Sequence, residues 1–315
     1  MSRRVLVTGG AGFIGSHVAG AYQRAGWDVT VLDDLSRGRE TNIPPGIPLI
    51  KVDIRSPEAR AAVSKGRFEV VNHHAAQIDV RVSVNEPALD ATINLVGFIN
   101  LLEGAAEGGV KRVVFASSGG VVYGDPEMTP TPESAPKLPV SPYGVSKLAG
   151  EHYLRTLSEL RGFERVALRY SNVFGPRQDP SSEAGVVSIF ISRLLAGRPL
   201  TIFGDGHQTR DYVFVRDVAQ ANLLAGTVPV PQGALDTSAF NIATSVERSV
   251  IDLAQTVGEV MGIRPQLEFS AARPGELRRN ALNIDKARNG LGWSPEHRFD
   301  DGLREIVQWF QDGAR

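Results

Sequence analysis

The stretch Arg4-Val5-Leu6-Val7-Thr8-Gly9-Gly10-Ala11-Gly12-Phe13-Ile14-Gly15 decides the fold. A short apolar run, glycines at every third position and then a helical pattern make a strand, a tight turn and a helix. Gly9, Gly12 and Gly15 allow the turn, the approach of backbone to a pyrophosphate, and close helix–strand packing. The new helix aims N–H groups and its positive dipole end at that phosphate. Such a turn alone is a weak signal. Here the next strand, Val29-Thr30-Val31-Leu32-Asp33-Asp34, ends in carboxylates 18 and 19 residues beyond Gly15, where a dinucleotide's ribose 2′-hydroxyl is gripped. A carboxylate at Asp33 repels a 2′-phosphate, so the expected cofactor is NAD rather than NADP, although Arg37 and Arg39 lie nearby. Asp53, in Lys51-Val52-Asp53-Ile54, closes a third strand and is either a partner for an adenine amino group or a surface aspartate.

Outward from this turn, strand-like runs at 4–8, 28–32, 49–52, 69–72, 112–116 and 166–170 alternate with helical patterns at 14–25, 57–64, 87–108 and 142–160. That rhythm predicts an α/β chain with a Rossmann-type, doubly wound parallel sheet and a ligand site at the carboxyl ends of the strands. Beyond Gly175 the rhythm loosens, with strands at 200–203 and 212–215 among helices at 188–196, 218–226, 250–261 and 301–310. The expected organisation is a dinucleotide-binding unit over 1–174 and a smaller mixed α/β substrate lobe over 175–315. Segment 210–217 and the final helix are expected to pack back on the first unit.

Composition narrows the function. The 315 residues, 42% hydrophobic, suffice for two lobes with cores of their own. With 34 Lys+Arg against 35 Asp+Glu, a net charge of −1 offers no general attraction to nucleic acid or an acidic membrane. The absence of cysteine excludes disulfides, thiolate metal sites and a cysteine nucleophile, and the six histidines show no ligand spacing, so no metal is expected. The apolar run after Arg3-Arg4 is too short for a signal peptide or a spanning helix, which predicts a cytoplasmic protein.

Ser141-Pro142-Tyr143-Gly144-Val145-Ser146-Lys147 opens a helix, with Ser141 as N-cap and Pro142 in the first turn. Tyr143 and Lys147 then share one face. A free phenol, with a pKa near 10, is a poor base at neutral pH. A neighbouring ammonium and a cationic nicotinamide ring would favour its phenolate. Ser117-Ser118 ends the fifth strand, where a hydroxyl can bridge a substrate hydroxyl and the tyrosine.

Taken together these segments resemble the extended short-chain dehydrogenase/reductase superfamily, from about Arg4 to Trp309, and within it the UDP-glucose 4-epimerase group. The resemblance is carried by 7–15, 31–38, His74-Ala75-Ala76-Gln77, Asn94-Leu95-Val96-Gly97, 117–124, 141–147, 168–176, 202–217 and 273–276. It implies that Tyr143 is the catalytic base, that Lys147 lowers its pKa and holds the nicotinamide ribose, and that Ser118 orders the reacting hydroxyl. It places Phe13, Ile14, Ser36, Gly38 and Ile54 beside Gly9, Gly12, Asp33, Asp34 and Asp53 on the NAD. Ala75, Ala76 and Gln77 would line the same groove, Tyr170 would lie near the nicotinamide, and Asn94 would fix the active-site helix. Asn172, Arg210 and Arg273 would clamp the diphosphate of a UDP-sugar, a task suited to guanidinium forks. Glu276 would hold the uridine ribose, and Val187 and Phe203 would sandwich the uracil.

Departures refine the expectation. Related 4,6-dehydratases carry an Asp-Glu pair where this chain has Gly119-Gly120, and GDP-sugar epimerases need a cysteine that is absent here. Asn280 occupies a position whose bulk gates N-acetylated sugars in the group, and it is smaller than the tyrosine that excludes them. The implied activity is reversible C4 epimerisation of a UDP-hexose through a 4-keto sugar, with NAD tightly bound and regenerated. The alternatives are another sugar nucleotide (a UDP-glucuronate or UDP-N-acetylhexosamine) and a non-catalytic NAD-binding sensor. The resemblance also implies a homodimer, through a four-helix contact of 87–108 and 142–160.

Overall fold

A computed structural model describes residues 3–180, 185–272 and 277–313. Its strands are β1 (Arg4–Thr8), β2 (Asp28–Asp33), β3 (Leu49–Lys51), β4 (Val70–His73), β5 (Arg112–Ser118), β6 (Glu164–Tyr170), β7 (Asn172–Phe174), β8 (Leu200–Phe203), β9 (Thr209–Arg210), β10 (Tyr212–Phe214), β11 (Ala239–Ile242), β12 (Arg248–Ser249) and β13 (Leu267–Ser270). Seven of them form one sheet in the order β11-β6-β5-β4-β1-β2-β3, and every pairing in it is parallel. The order reverses between β1 and β4. That switch opens a crevice outside their carboxyl ends, where ligands bind in doubly wound sheets.

Both faces of the sheet are covered, which is why its strands read as apolar runs. On one face Val18, Ala19 and Tyr22 of the Phe13–Arg24 helix pack with Val218, Ala221 and Ala225 of the Val215–Thr227 helix. On the other, Val63, Phe98, Leu101 and Leu154 come from the Pro57–Lys65, Phe98–Glu107 and Pro142–Arg161 helices.

Two features differ from the sequence expectation. β11 is a seventh sheet strand contributed by the second half of the chain. Its sequence, Ala-Phe-Asn-Ile, has a polar residue at its centre, and Asn241 is buried there because it accepts from Tyr123 Oη at 2.8 Å and donates to Thr131 O at 3.0 Å. The span 87–108 is not one α-helix. Pro87–Ala91 and Phe98–Glu107 are joined by a π-helical stretch, Thr92–Gly97, that carries Asn94. In the final helix, Phe299–Gln311, Leu303, Ile306 and Val307 are buried in one cluster with Phe174, Phe190 and Leu253, against which Phe13 and Ile14 also pack. Among the described residues, no helix is long and apolar enough to cross a membrane.

Candidate active site

The glycine turn sits at the carboxyl end of β1. Gly9 has φ +67°, and a Cβ there would lie 2.5 Å from Ala75 N, so a side chain is excluded by both conformation and space. A Cβ at Gly15 would meet Gly9 O at 2.2 Å. Gly12 caps the Phe13–Arg24 helix with extended backbone and no side-chain hydrogen bond, while a Cβ on it would meet only Gly9 O, at 3.2 Å. The first N–H groups of a helix, here at Phe13 and Ile14, have no intrahelical acceptor. A bare helix start under a glycine cradle fits a pyrophosphate.

Asp33 ends β2 at 7% exposure and serves the turn directly. Its Oδ2 accepts from Ala11 N at 3.0 Å and its Oδ1 from Leu35 N at 2.9 Å, while burial pushes its pKa up. A carboxylate has about four lone-pair sites, so capacity remains for a ribose hydroxyl. A Cβ at Gly38 would stand 2.9 Å from Asp33 Oδ1. Asp34 is exposed and accepts from Ser36 N and Oγ at 2.9 and 2.6 Å. Asp53 is gripped by Arg55, which holds its carboxyl below the usual range. Ile54 is buried against Gly97, where a Cβ would lie 2.8 Å from Ile54 Cδ1. These donors and acceptors fit a dinucleotide.

Ala75, Ala76 and Gln77 leave the carboxyl end of β4. Asn94, presented by the π-helical stretch, accepts from Gln77 N at 2.9 Å and donates to Gln77 O at 3.0 Å. Behind it lies Asp90, fully buried, which accepts from Asn94 Nδ2 (2.9 Å), Gln77 Nε2 (3.1 Å) and Ser146 Oγ (2.6 Å). This carboxylate was not legible in the sequence, because no spacing links 90 to 146.

Ser141 accepts from Gly144 N at 3.1 Å and starts the Pro142–Arg161 helix as expected. Lys147 Nζ donates to Ala116 O at 2.9 Å and lies 5.7 Å from the centre of the Tyr143 ring. Burial lowers the Lys147 pKa to about 8, against the opposing pull of Asp90 and Glu151. Burial, and then the Asp90 charge, push the Tyr143 phenol up. The ammonium is directed at a backbone carbonyl rather than at the phenol oxygen.

The serine pair splits between the faces of β5. Ser117 Oγ donates to Glu151 Oε1 at 2.5 Å, and Glu151 pairs with the fully buried Arg169 at 2.6 Å. Ser118 lies on the opposite face and caps the short Gly119–Val122 helix without a side-chain hydrogen bond. Its hydroxyl is therefore available to a ligand. A Cβ at Gly119 would meet Leu282 Cδ1 at 2.4 Å, so an acid would not fit there without displacing Leu282.

Asn172 opens β7 and pairs in register with Tyr212 of β10. Arg210, half-buried on β9, donates to Thr209 O at 2.7 Å and Leu277 O at 2.9 Å. Phe203 ends β8, half-buried. Val187, on the Val186–Leu195 helix, is 1% exposed and lies in the core cluster of Phe190 and Leu200. The Tyr170 hydroxyl lies 3.1 Å from His74 Nε2 and 3.0 Å from Asn222 Oδ1 within the first lobe. Asn280 is buried, and its Oδ1 has no hydrogen-bond partner among the described residues. Arg273 and Glu276 lie outside the described residues.

Residues 5–243 match the NAD dependent epimerase/dehydratase family. The UDP-glucose 4-epimerase of Mycolicibacterium smegmatis is 43% identical over 99% of this chain and 100% of that protein. The crystal structure of UDP-glucose 4-epimerase with UDP-glucose from Thermotoga maritima superposes with a TM-score of 0.94 at 40% identity, covering 99% of this chain and 100% of that one. The Thermus thermophilus UDP-glucose 4-epimerase complex with NAD gives 0.92 at 42% identity, over 98% and 99% of the two chains. The chain thus belongs to the NAD-dependent epimerase/dehydratase family.

Proposed function

We propose that the chain interconverts UDP-galactose and UDP-glucose by NAD-dependent epimerisation at C4. The observation that carries this is the grouping of Tyr143, Lys147 and an unengaged Ser118 hydroxyl beside the glycine turn, in a chain without the acids that dehydration needs at 119 and 120. NAD, when bound, supplies a reversible hydride acceptor. The Phe13 and Ile14 N–H groups would hold its pyrophosphate and Asp33 its ribose. Tyr143 Oη removes the proton from the sugar's C4 hydroxyl and later returns one, while Ser118 Oγ orients that hydroxyl. Lys147, buried at 5% exposure, adds positive charge beside the half-buried phenol. Asn172, Arg210 and Arg273 hold the diphosphate, leaving the 4-keto hexose to turn and offer its other face.

The test is incubation with UDP-galactose and no added cofactor, followed by anion-exchange separation of the UDP-sugars. Equilibration with UDP-glucose is expected. No conversion even after NAD is added overturns the assignment, and conversion of UDP-N-acetylhexosamines alone moves it to those sugars.

We further propose a homodimer through the 87–107 and 142–161 helices, which expose Val96, Val145, Tyr153 and Leu160. A cytoplasmic location is consistent with a cysteine-free chain that makes no use of an oxidising compartment.

A further inference from the structure

A cavity of about 550 Å³ is lined by His17, Arg24, Arg177, Arg216, Ala219 and His297. It opens between the Phe13–Arg24 helix, the loop after β7 and the start of the Val215–Thr227 helix. None of these residues belongs to the NAD or sugar-nucleotide sites described above. Three guanidinium groups from three separate elements converge on it in a chain whose net charge is −1.

The charges are only partly answered from within. Arg216 pairs with Glu305 at 2.6 Å, and His297 Nδ1 lies 2.7 Å from Asp217 Oδ1. Arg24 and Arg177 have no ion-pair partner among the described residues. Arg177 donates to the Ser16 hydroxyl at 3.1 Å. Burial, Arg24 and Arg216 all push the Arg177 pKa down, so the cluster repels itself where it is half-buried. The backbone at Arg177 has φ +71°, a conformation that a residue with a side chain adopts only under constraint, and it aims the guanidinium into the basin. His17 is held near pKa 4 by burial and Arg177, and its Nε2 is taken up by Pro176 O at 3.0 Å, so at neutral pH it adds no charge.

We propose that this basin is a second anion site, separate from the dinucleotide and diphosphate sites, that takes a compact, multiply charged phosphate. Guanidinium forks match phosphate oxygens in pairs. Ala219 is the one aliphatic residue in the lining, so the contacts recognise charge rather than a lipid chain.

The test uses the full-length protein with its NAD and inorganic pyrophosphate as the probe, titrated by calorimetry at fixed ionic strength, with and without saturating UDP. One saturable site per chain, indifferent to UDP, is expected. Arg24→Ala and Arg177→Gln should each weaken it about tenfold or more, because each removes a charge-assisted contact. Arg304→Ala, on an exposed turn of the final helix, should leave it unchanged. Arg24 is exposed, so its variant reports even where Arg177→Gln disturbs folding. No saturable binding below about 10 mM overturns the proposal. So does competition by UDP, or equal affinity in wild type and Arg24→Ala.

Discussion

Lys147 Nζ sits 5.7 Å from the Tyr143 ring centre yet donates to the Ala116 carbonyl at 2.9 Å. The cation is held by the strand beneath it, in a site buried enough to bring its pKa down to about 8. Its position costs stability, and the cost has a sign. The lysine titrates at 10.5 when unfolded and at about 8 here, so between those values the unfolded chain holds a proton that the folded one has released. Stability from this group therefore rises with pH across about 8 to 10.5. Above pH 10 the Tyr143 phenol, pushed up by burial, acts in the opposite direction.

Lys147→Met should accordingly raise the thermal stability of the protein at pH 7, by about 1–3 kcal/mol, while lowering turnover strongly. The gain should shrink at pH 9.5. Melting curves of the two proteins at both pH values check this, and a variant less stable than wild type at pH 7 would show that the ammonium is a net support.

Tyr143→Phe removes the proposed proton acceptor and little else. Turnover should fall about 10²–10⁴-fold or more, with UDP affinity within about twofold of wild type. Steady-state rates and UDP titration calorimetry read the two separately. Activity retained in the Tyr143→Phe variant would remove the tyrosine from its assigned role.

Gly15→Ala would place a methyl 2.2 Å from Gly9 O at the centre of the cradle. The turn must open, and the first helical N–H groups then leave the line of the pyrophosphate. The purified variant should carry at most about a tenth of the wild-type NAD, measured by extraction and enzymatic assay, with its circular dichroism little changed. Full NAD occupancy would mean that the turn absorbs the methyl.

How far the sequence reached depends on how local each signal was. β1 and its glycine turn are written in consecutive residues, and the helix carrying Tyr143 and Lys147 announces itself through Ser141 and Pro142. Glu151 was within reach, one further turn along the face of Tyr143 and Lys147, but only the fold reveals its partners, Ser117 and Arg169. β11 was not legible because four residues with a buried asparagine look like a loop until Tyr123, Thr131 and Asn283 satisfy that amide. Asp90 was hidden for the same reason: helical spacing links it to Asn94, but its other hydrogen-bond partners, at 77 and 146, are ones that periodicity cannot connect. The burial of Val187 was not legible either, because family position alone does not say that a helical valine joins Phe190 and Leu200 in one cluster.

The exposed apolar residues on the two long helices give the dimer proposal a direct test. Val96, Tyr153 and Leu160 are 56%, 46% and 72% exposed. Val96→Asp, at a position where a monomer would gain solubility and lose nothing, should shift the protein from dimer to monomer in size-exclusion chromatography with light scattering. A wild-type protein that elutes as a monomer at micromolar concentration would end the proposal.

Asp90 offers the most discriminating experiment on the site. It is buried behind Asn94, bonded to Ser146, and raises the pKa of both Tyr143 and Lys147. Asp90→Asn keeps an oxygen for the amides of Asn94 and Gln77 and offers an N–H to the rotatable Ser146 hydroxyl, so the fold should survive. With the negative charge gone, the phenol ionises more easily and the ammonium loses its proton more easily. Both limbs of the pH profile of kcat should therefore move to lower pH, by about half a unit to one unit. A purely structural carboxylate would lower the maximum and leave both limbs where they stand.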